Sequence, residues 1–163
     1  MNNKILAPFI FLFYFSCSAP NKKALDSFVF DYENVLEPSE VDRFDELLKA
    51  HEGKTSNEVV LVTVEDYGDN ENMLMYSVNF GQENAIGKAG KDNGVIIAFS
   101  KANHEARIST GYGAEQVLDD VIAKNIVDSL MVPHFQVGQY AEGLWAGSKA
   151  VIDFLEKPEN AIK

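Results

Sequence analysis

The sequence is short of several things that chemistry commonly needs. Of its 163 residues one is cysteine, Cys17, three are histidine and 14 are Lys or Arg. A single cysteine excludes an internal disulfide and a Cys-rich zinc site. It sits at the end of an apolar stretch rather than among acid–base partners, so a cysteine nucleophile is absent too. Asp and Glu number 25, which sets the net charge at −11. Binding to a phosphate backbone needs a basic face, so nucleic acid is excluded as a partner class. A large polybasic membrane-binding surface is excluded on the same ground. There is no G-x-S-x-G elbow, no P-loop and no H-E-x-x-H. His51, His104 and His134 have no ligand spacing and read as ordinary surface or helix-end histidines.

Long apolar runs are also missing. The stretch 5–15 is eleven residues, against the roughly 20 that a spanning helix takes. It follows Lys4 and precedes Ser16-Cys17, which is the layout of a signal-peptide core. Tyr14-Phe15-Ser16-Cys17 resembles a bacterial lipobox, with Phe15 where such boxes usually hold a smaller residue. The expected organisation is a lipoprotein signal peptide over 1–16 and lipidation at Cys17. A flexible tether over 17–27, a domain over 28–157 and a short tail over 158–163 follow. The expected place is the cell envelope, anchored to a bacterial membrane by lipid and facing periplasm or exterior. The alternative is a plain secretory peptide with an incidental cysteine.

What is present suits one globular domain: 46% hydrophobic and 24% charged residues. Residues 28–32 form a short strand. Ser39, with Asp42 three positions later, predicts the N-cap of a helix carrying Val41, Phe44, Leu47 and Leu48 inward up to Gly53. The continuous β-branched run Val59 to Val64 lacks alternation, which predicts a strand buried on both faces. A helix is expected over 70–87 with Met73, Tyr76 and Phe80 inward, then a flexible basic loop, 87–91. Val95 to Phe99 is a second buried strand, followed by a hairpin and a third over 105–110. A helix over 114–131 would present Val117, Leu118, Val121, Ile122, Ile126 and Leu130 on one face, with Pro133 ending or kinking it. The last helix spans 138–155 with Tyr140, Leu144, Val151 and Leu155 as its stripe. The order β-α-β-α-β-β-α-α implies a three-layer α/β/α sandwich of Rossmann-like type with a mixed sheet. Gly111-Tyr112-Gly113 is no dinucleotide fingerprint, because it ends the last strand and its sixth position is Gln116.

The chemistry left is acidic. Asp66 follows the strand ending at Val64, Asp92 and Asn93 precede the strand Val95 to Phe99, and Glu115, Asp119 and Asp120 follow Gly113. Ligands of α/β sheets bind at loops outside the carboxyl ends of strands. Asp66 and the segment from Gly111 to Glu115 meet there if their strands run parallel. Carboxylates that converge need a shared cation, and hard oxygen ligands favour Ca²⁺ or Mg²⁺. The plainer reading is that acids in the first turns of a helix complement its dipole.

Several motifs taken together resemble the TPM domain family. They are the Asp31-Tyr32 stretch through Ser39-Glu40, the strand from Glu58 to Val64 and Asp92-Asn93-Gly94-Val95-Ile96-Ile97. Arg107 through Glu115, Leu118-Asp119-Asp120 and the segment from Pro133 to Leu144 complete the set. The resemblance implies a Rossmann-like α/β/α fold close to a membrane and outside the cytoplasm. It implies two roles. Thylakoid-lumen members are described as calcium-binding acid phosphatases, and an animal member is an auxiliary subunit of a receptor. Asp92-Asn93 and Asp119-Asp120 stand where the family keeps its acidic cluster. The metal expectation is therefore Ca²⁺ or Mg²⁺ on Asp92, Asn93, Asp119, Asp120, Asp66 and Glu115, with Arg107 and Tyr112 facing a substrate. Of the two roles, a lipid-anchored, cation-binding accessory module with an unidentified membrane-protein partner claims less than a metal-dependent phosphatase, for which no nucleophile is evident.

Overall fold

The computed structural model describes residues 25–162. The expected signal peptide, Cys17 and most of the expected tether lie outside the described residues. Four strands form one sheet in the order β1-β2-β3-β4: β1 (Val29–Asp31), β2 (Glu58–Thr63), β3 (Gly94–Ser100) and β4 (Glu105–Thr110). The first three are parallel, with Val29 opposite Leu61 and Leu61 opposite Ile97. β4 returns antiparallel through a tight hairpin, with Ile108 opposite Ile97. Every residue of β2 and β3 is buried, as their unbroken apolar runs require.

Helices cover both faces. α1 (Pro38–Thr55) and α6 (Tyr140–Leu155) pack on one side, where the Phe44 ring meets Trp145 edge-on at 5.2 Å. Phe99 of β3 points to that side, 4.6 Å from Phe135 and 5.6 Å from Tyr140. α2 (Met73–Glu83) lies on the other side, where Phe80 meets Phe30 of β1 at 5.2 Å. The result is the expected three-layer α/β/α arrangement with a mixed sheet.

Local chemistry moves several expected boundaries. α1 starts earlier than the Ser39 signal, because Glu37 and Glu40 cap each other's backbone and Pro38 takes the first helical position. α2 is shorter than 70–87; Asn72 caps its start by accepting from the Met75 N–H at 3.0 Å. The helix expected over 114–131 is broken. It comprises α3 (Tyr112–Glu115), α4 (Asp120–Ile126) and a π-helical turn at Val127–Met131, which runs into α5 (Val132–Phe135). The extra residue in the π turn rotates the stripe. Leu130 (43% exposed) therefore faces outward, and Val121 (68%), which precedes that turn, is set outward by the break at Asp119 that separates α4 from Leu118. Pro133 follows directly on the π turn, at the start of α5.

His51 corrects another expectation: it is 1% exposed. Its Nδ1 lies 3.2 Å from Glu156, and Lys54 closes on the same carboxylate. Burial lowers the His51 pKa despite the nearby Glu156. The hydrogen bond from Lys54 holds the Glu156 carboxyl below its ordinary range. Ahead of β1, Leu25 packs against the core and Ser27 donates to Asp45 Oδ1 at 3.1 Å. Beyond α6, a short 3₁₀ turn at Pro158–Asn160 is tied back by Asn160, which donates to the Phe154 carbonyl at 2.9 Å.

Candidate functional site

Strand direction decides which candidate residues can meet. Asp66 lies past the carboxyl end of β2, whereas Gly111 to Glu115 follow the carboxyl end of antiparallel β4. Those are opposite ends of the sheet, and six residues of strand span about 20 Å. Asp66 is therefore separated from the other carboxylates. Its Oδ1 accepts from the Gly68 N–H at 2.7 Å, closing its own turn.

At the other end, two loops lock together. Gly111 N–H donates to the Gly94 carbonyl at 2.8 Å. The Asp92 carbonyl accepts from Gly113 N–H at 3.0 Å and Ala114 N–H at 3.3 Å. A Cβ at Gly113 would overlap the Lys91 carbonyl oxygen, and one at Gly111 would overlap that of Asp92. Both glycines are there for close backbone approach. Asp92 has φ +47°, a left-handed conformation that Asp tolerates better than most residues. Beneath it Asn93 is fully buried. Its Oδ1 accepts from Lys88 N–H at 2.8 Å, and its Nδ2 donates to the Ser56 carbonyl at 2.9 Å and to Asn57 Oδ1 at 3.0 Å. That amide is consumed in holding three segments together.

The rest of the expected ligand set is spread out. Asp119 is the N-cap of α4 and accepts from the Ile122 N–H at 2.8 Å. Asp120, mostly exposed, pairs with Arg107 at 3.6 Å beside a cleft of about 340 Å³. Glu115 is exposed in α3. Among the described residues, no group of three or more His, Cys, Asp or Glu side chains is placed to hold a metal ion. The carboxylates cap helices and turns, pair with a base, or face solvent singly. The convergence expected for Ca²⁺ or Mg²⁺ is not what the side chains form.

A larger concavity lies beside α2. This groove of about 780 Å³ runs between α2, the loop 84–92 and the end of β4. Its walls include Val78, Ile86, Ile96 and Tyr112. Its floor holds Ser77, whose hydroxyl is 2.7 Å from that of Ser109. Arg107 Nε donates to Ser109 Oγ at 3.0 Å, so Arg107 braces the floor from outside the groove. Asp92 and Tyr112, two of the residues singled out in the sequence, stand together at its rim. Lys88 is anchored there rather than free in a basic loop: it reaches Glu52 at 2.6 Å and the buried Glu58 at 2.9 Å. Those bonds, first the one to Glu52, raise its pKa above the ordinary lysine value. The volume falls within the roughly 300–1,000 Å³ of binding pockets with apolar walls and a few polar groups. Sequence reasoning overlooked it, although one signal was available: α2 has a single charged residue, Glu83, in eleven.

The model of the TPM domain family matches residues 29–154. Three solved structures share the fold. The N-terminal domain of a protein from P. gingivalis is 26% identical, with a TM-score of 0.75 over 84% of this chain and 87% of that one. The N-terminal domain of a protein from Corynebacterium glutamicum is 15% identical, with a TM-score of 0.62 over 83% and 84%. A protein from the psychrophilic bacterium Bizionia argentinensis is 16% identical, with a TM-score of 0.60 over 79% and 90%. No curated protein matches the chain.

Proposed function

The chain belongs to the TPM domain family, and from that premise we propose that it is an accessory module that engages a partner through the groove beside α2. The observation that carries this reading is the groove itself, apolar-walled and flanked by the outward hydrophobic residues Leu74, Met75 and Val78. The groove's hydroxyls do not favour a hydrolase. Ser77 and Ser109 bond each other and Arg107, and neither bonds a histidine or carboxylate that would activate it as a nucleophile.

Attachment belongs to the same proposal. The lipobox-like segment ending at Cys17 supports a lipid anchor in the cell envelope, which brings the domain to partners embedded in or lying on the membrane. A Cys17→Ser chain is expected in the soluble fraction, and its retention in membranes would contradict the anchor. Divalent-cation binding is proposed on the family alone, since Asp92, Glu115 and Asp119 share one end of the sheet without converging. Calorimetric titration with CaCl₂ and MgCl₂ tests it.

The direct test uses the full chain in native membranes. Wild type is expected to co-purify with a reproducible partner that Val78→Lys loses and Asp119→Ala keeps. In parallel, hydrolysis of p-nitrophenyl phosphate with Ca²⁺ or Mg²⁺ should stay at the buffer rate. Turnover above that rate, abolished by Asp92→Asn, would replace this reading with a phosphatase.

A further inference from the structure

Resting on the interaction reading above, we infer that the occupant of the groove is an amphipathic helical segment of a partner protein, apolar on the face that enters and carrying Lys or Arg along its flank.

The walls set the apolar half of this description. Val78, 38% exposed, lines the groove together with Ile86 and Ile96, and Leu74 and Met75, 41% and 43% exposed, continue that side of α2 beyond the lining. Tyr112, 80% exposed, rises on the opposite wall as the groove's aromatic edge. An amphipathic helix laid into such a trough buries an i, i+3, i+4, i+7 stripe, the helix-in-groove mode of recognition.

The rim sets the charged half. Glu83 and Asp92 line the groove, and neither has a cationic partner among the described residues. The lysine that also lines it, Lys88, is engaged by Glu52 and Glu58. Among the lining residues one lysine, already engaged, thus stands against two carboxylates. The whole chain, at −11, adds to the same sign. An anionic lipid surface is repelled by that field, whereas a basic flank is attracted and oriented by it.

The experiment measures anisotropy of a fluorescein-labelled 18-residue Leu/Lys amphipathic helix titrated with the full chain. Two further probes are the same residues scrambled to erase the apolar face, and a Leu/Glu helix. The Leu/Lys helix should bind at least about tenfold more tightly than either. Val78→Lys and Met75→Lys should each weaken it about tenfold, and the pair Glu83→Gln with Asp92→Asn about threefold at low salt. Both single positions are exposed, so a thermal melt matching wild type confirms that each variant folds. Equal binding of the scrambled helix, or affinity untouched by both lysine variants, overturns the inference. So does binding of phosphatidylglycerol vesicles that these variants abolish while the helix stays unbound. A partner recovered from membranes in a Val78-dependent way, with no binding of the Leu/Lys helix, overturns this chemistry and leaves the groove reading standing. Failure of both removes both.

Discussion

α1 and α2 flank the same sheet and solve different problems. α1 carries eight charged residues in eighteen and turns Phe44, Leu48 and His51 inward. Its outer surface is charged, with pairs such as Lys49–Asp45 at 2.5 Å, and its end is tied to α6 through Glu156. α2 buries Met73, Ser77 and Phe80 but has one charged residue, and its outer side shows Leu74, Met75 and Val78. An amphipathic helix at a solvent surface normally opposes its apolar stripe with charge. α1 obeys that rule and α2 does not. The first helix is finished by the fold itself, whereas the second leaves apolar surface beside a groove for something else to cover.

That contrast can be broken or sharpened by substitution. The largest effect is expected at Phe44→Ala on the α1 side, which removes a ring 1% exposed; urea unfolding should show a loss of about 3–5 kcal/mol. Gly113→Ala comes next at about 2 kcal/mol, because its Cβ drives the Lys91 carbonyl away and unlocks the rim of the groove. Asp119→Ala should cost about 1 kcal/mol, the worth of an N-cap, with the same loss in CaCl₂ as in chelator. A loss confined to CaCl₂ would make Asp119 a ligand instead. Met75→Ser on the outer side of α2 should shift stability by less than about 0.5 kcal/mol while impairing partner binding.

Acid should weaken the α1–α6 side first. The folded pKa of His51 lies below the ordinary 6.5, so between those values the unfolded chain binds the extra proton. The stability this group contributes is present above pH 6.5 and is lost as pH falls toward the folded value. Glu156, also lowered, adds its own loss below its ordinary 4.5. Thermal melts should therefore be flat between about pH 7 and 9 and decline in two stages below that, and His51→Gln should flatten the first.

The sheet was legible in the sequence because β2 and β3 are continuous apolar runs, which admit few other readings. The stripe of α6 was legible for the same reason: Leu144, Val151 and Leu155 recur with helical spacing and are all buried. The segment 114–131 was not, since a 3.6-residue period cannot foresee the π turn at Val127–Met131. Asp92 and Tyr112, expected as a metal ligand and a substrate contact, lie at the rim of the groove. Asp66 was misplaced because the direction of β4 is a tertiary fact. Asn93 and Asp119 look like metal ligands in a string of letters. Only their neighbours reveal that one joins three backbone segments and the other starts a helix. The groove was missed because it is made by what α2 lacks.

The most direct test places a photo-activated cross-linking side chain at Val78, beside the groove, and at Ala50, exposed on α1, in the full chain within native membranes. The account predicts one discrete adduct from position 78 and none from position 50. Adducts of equal yield from both positions, or from position 50 alone, would contradict it.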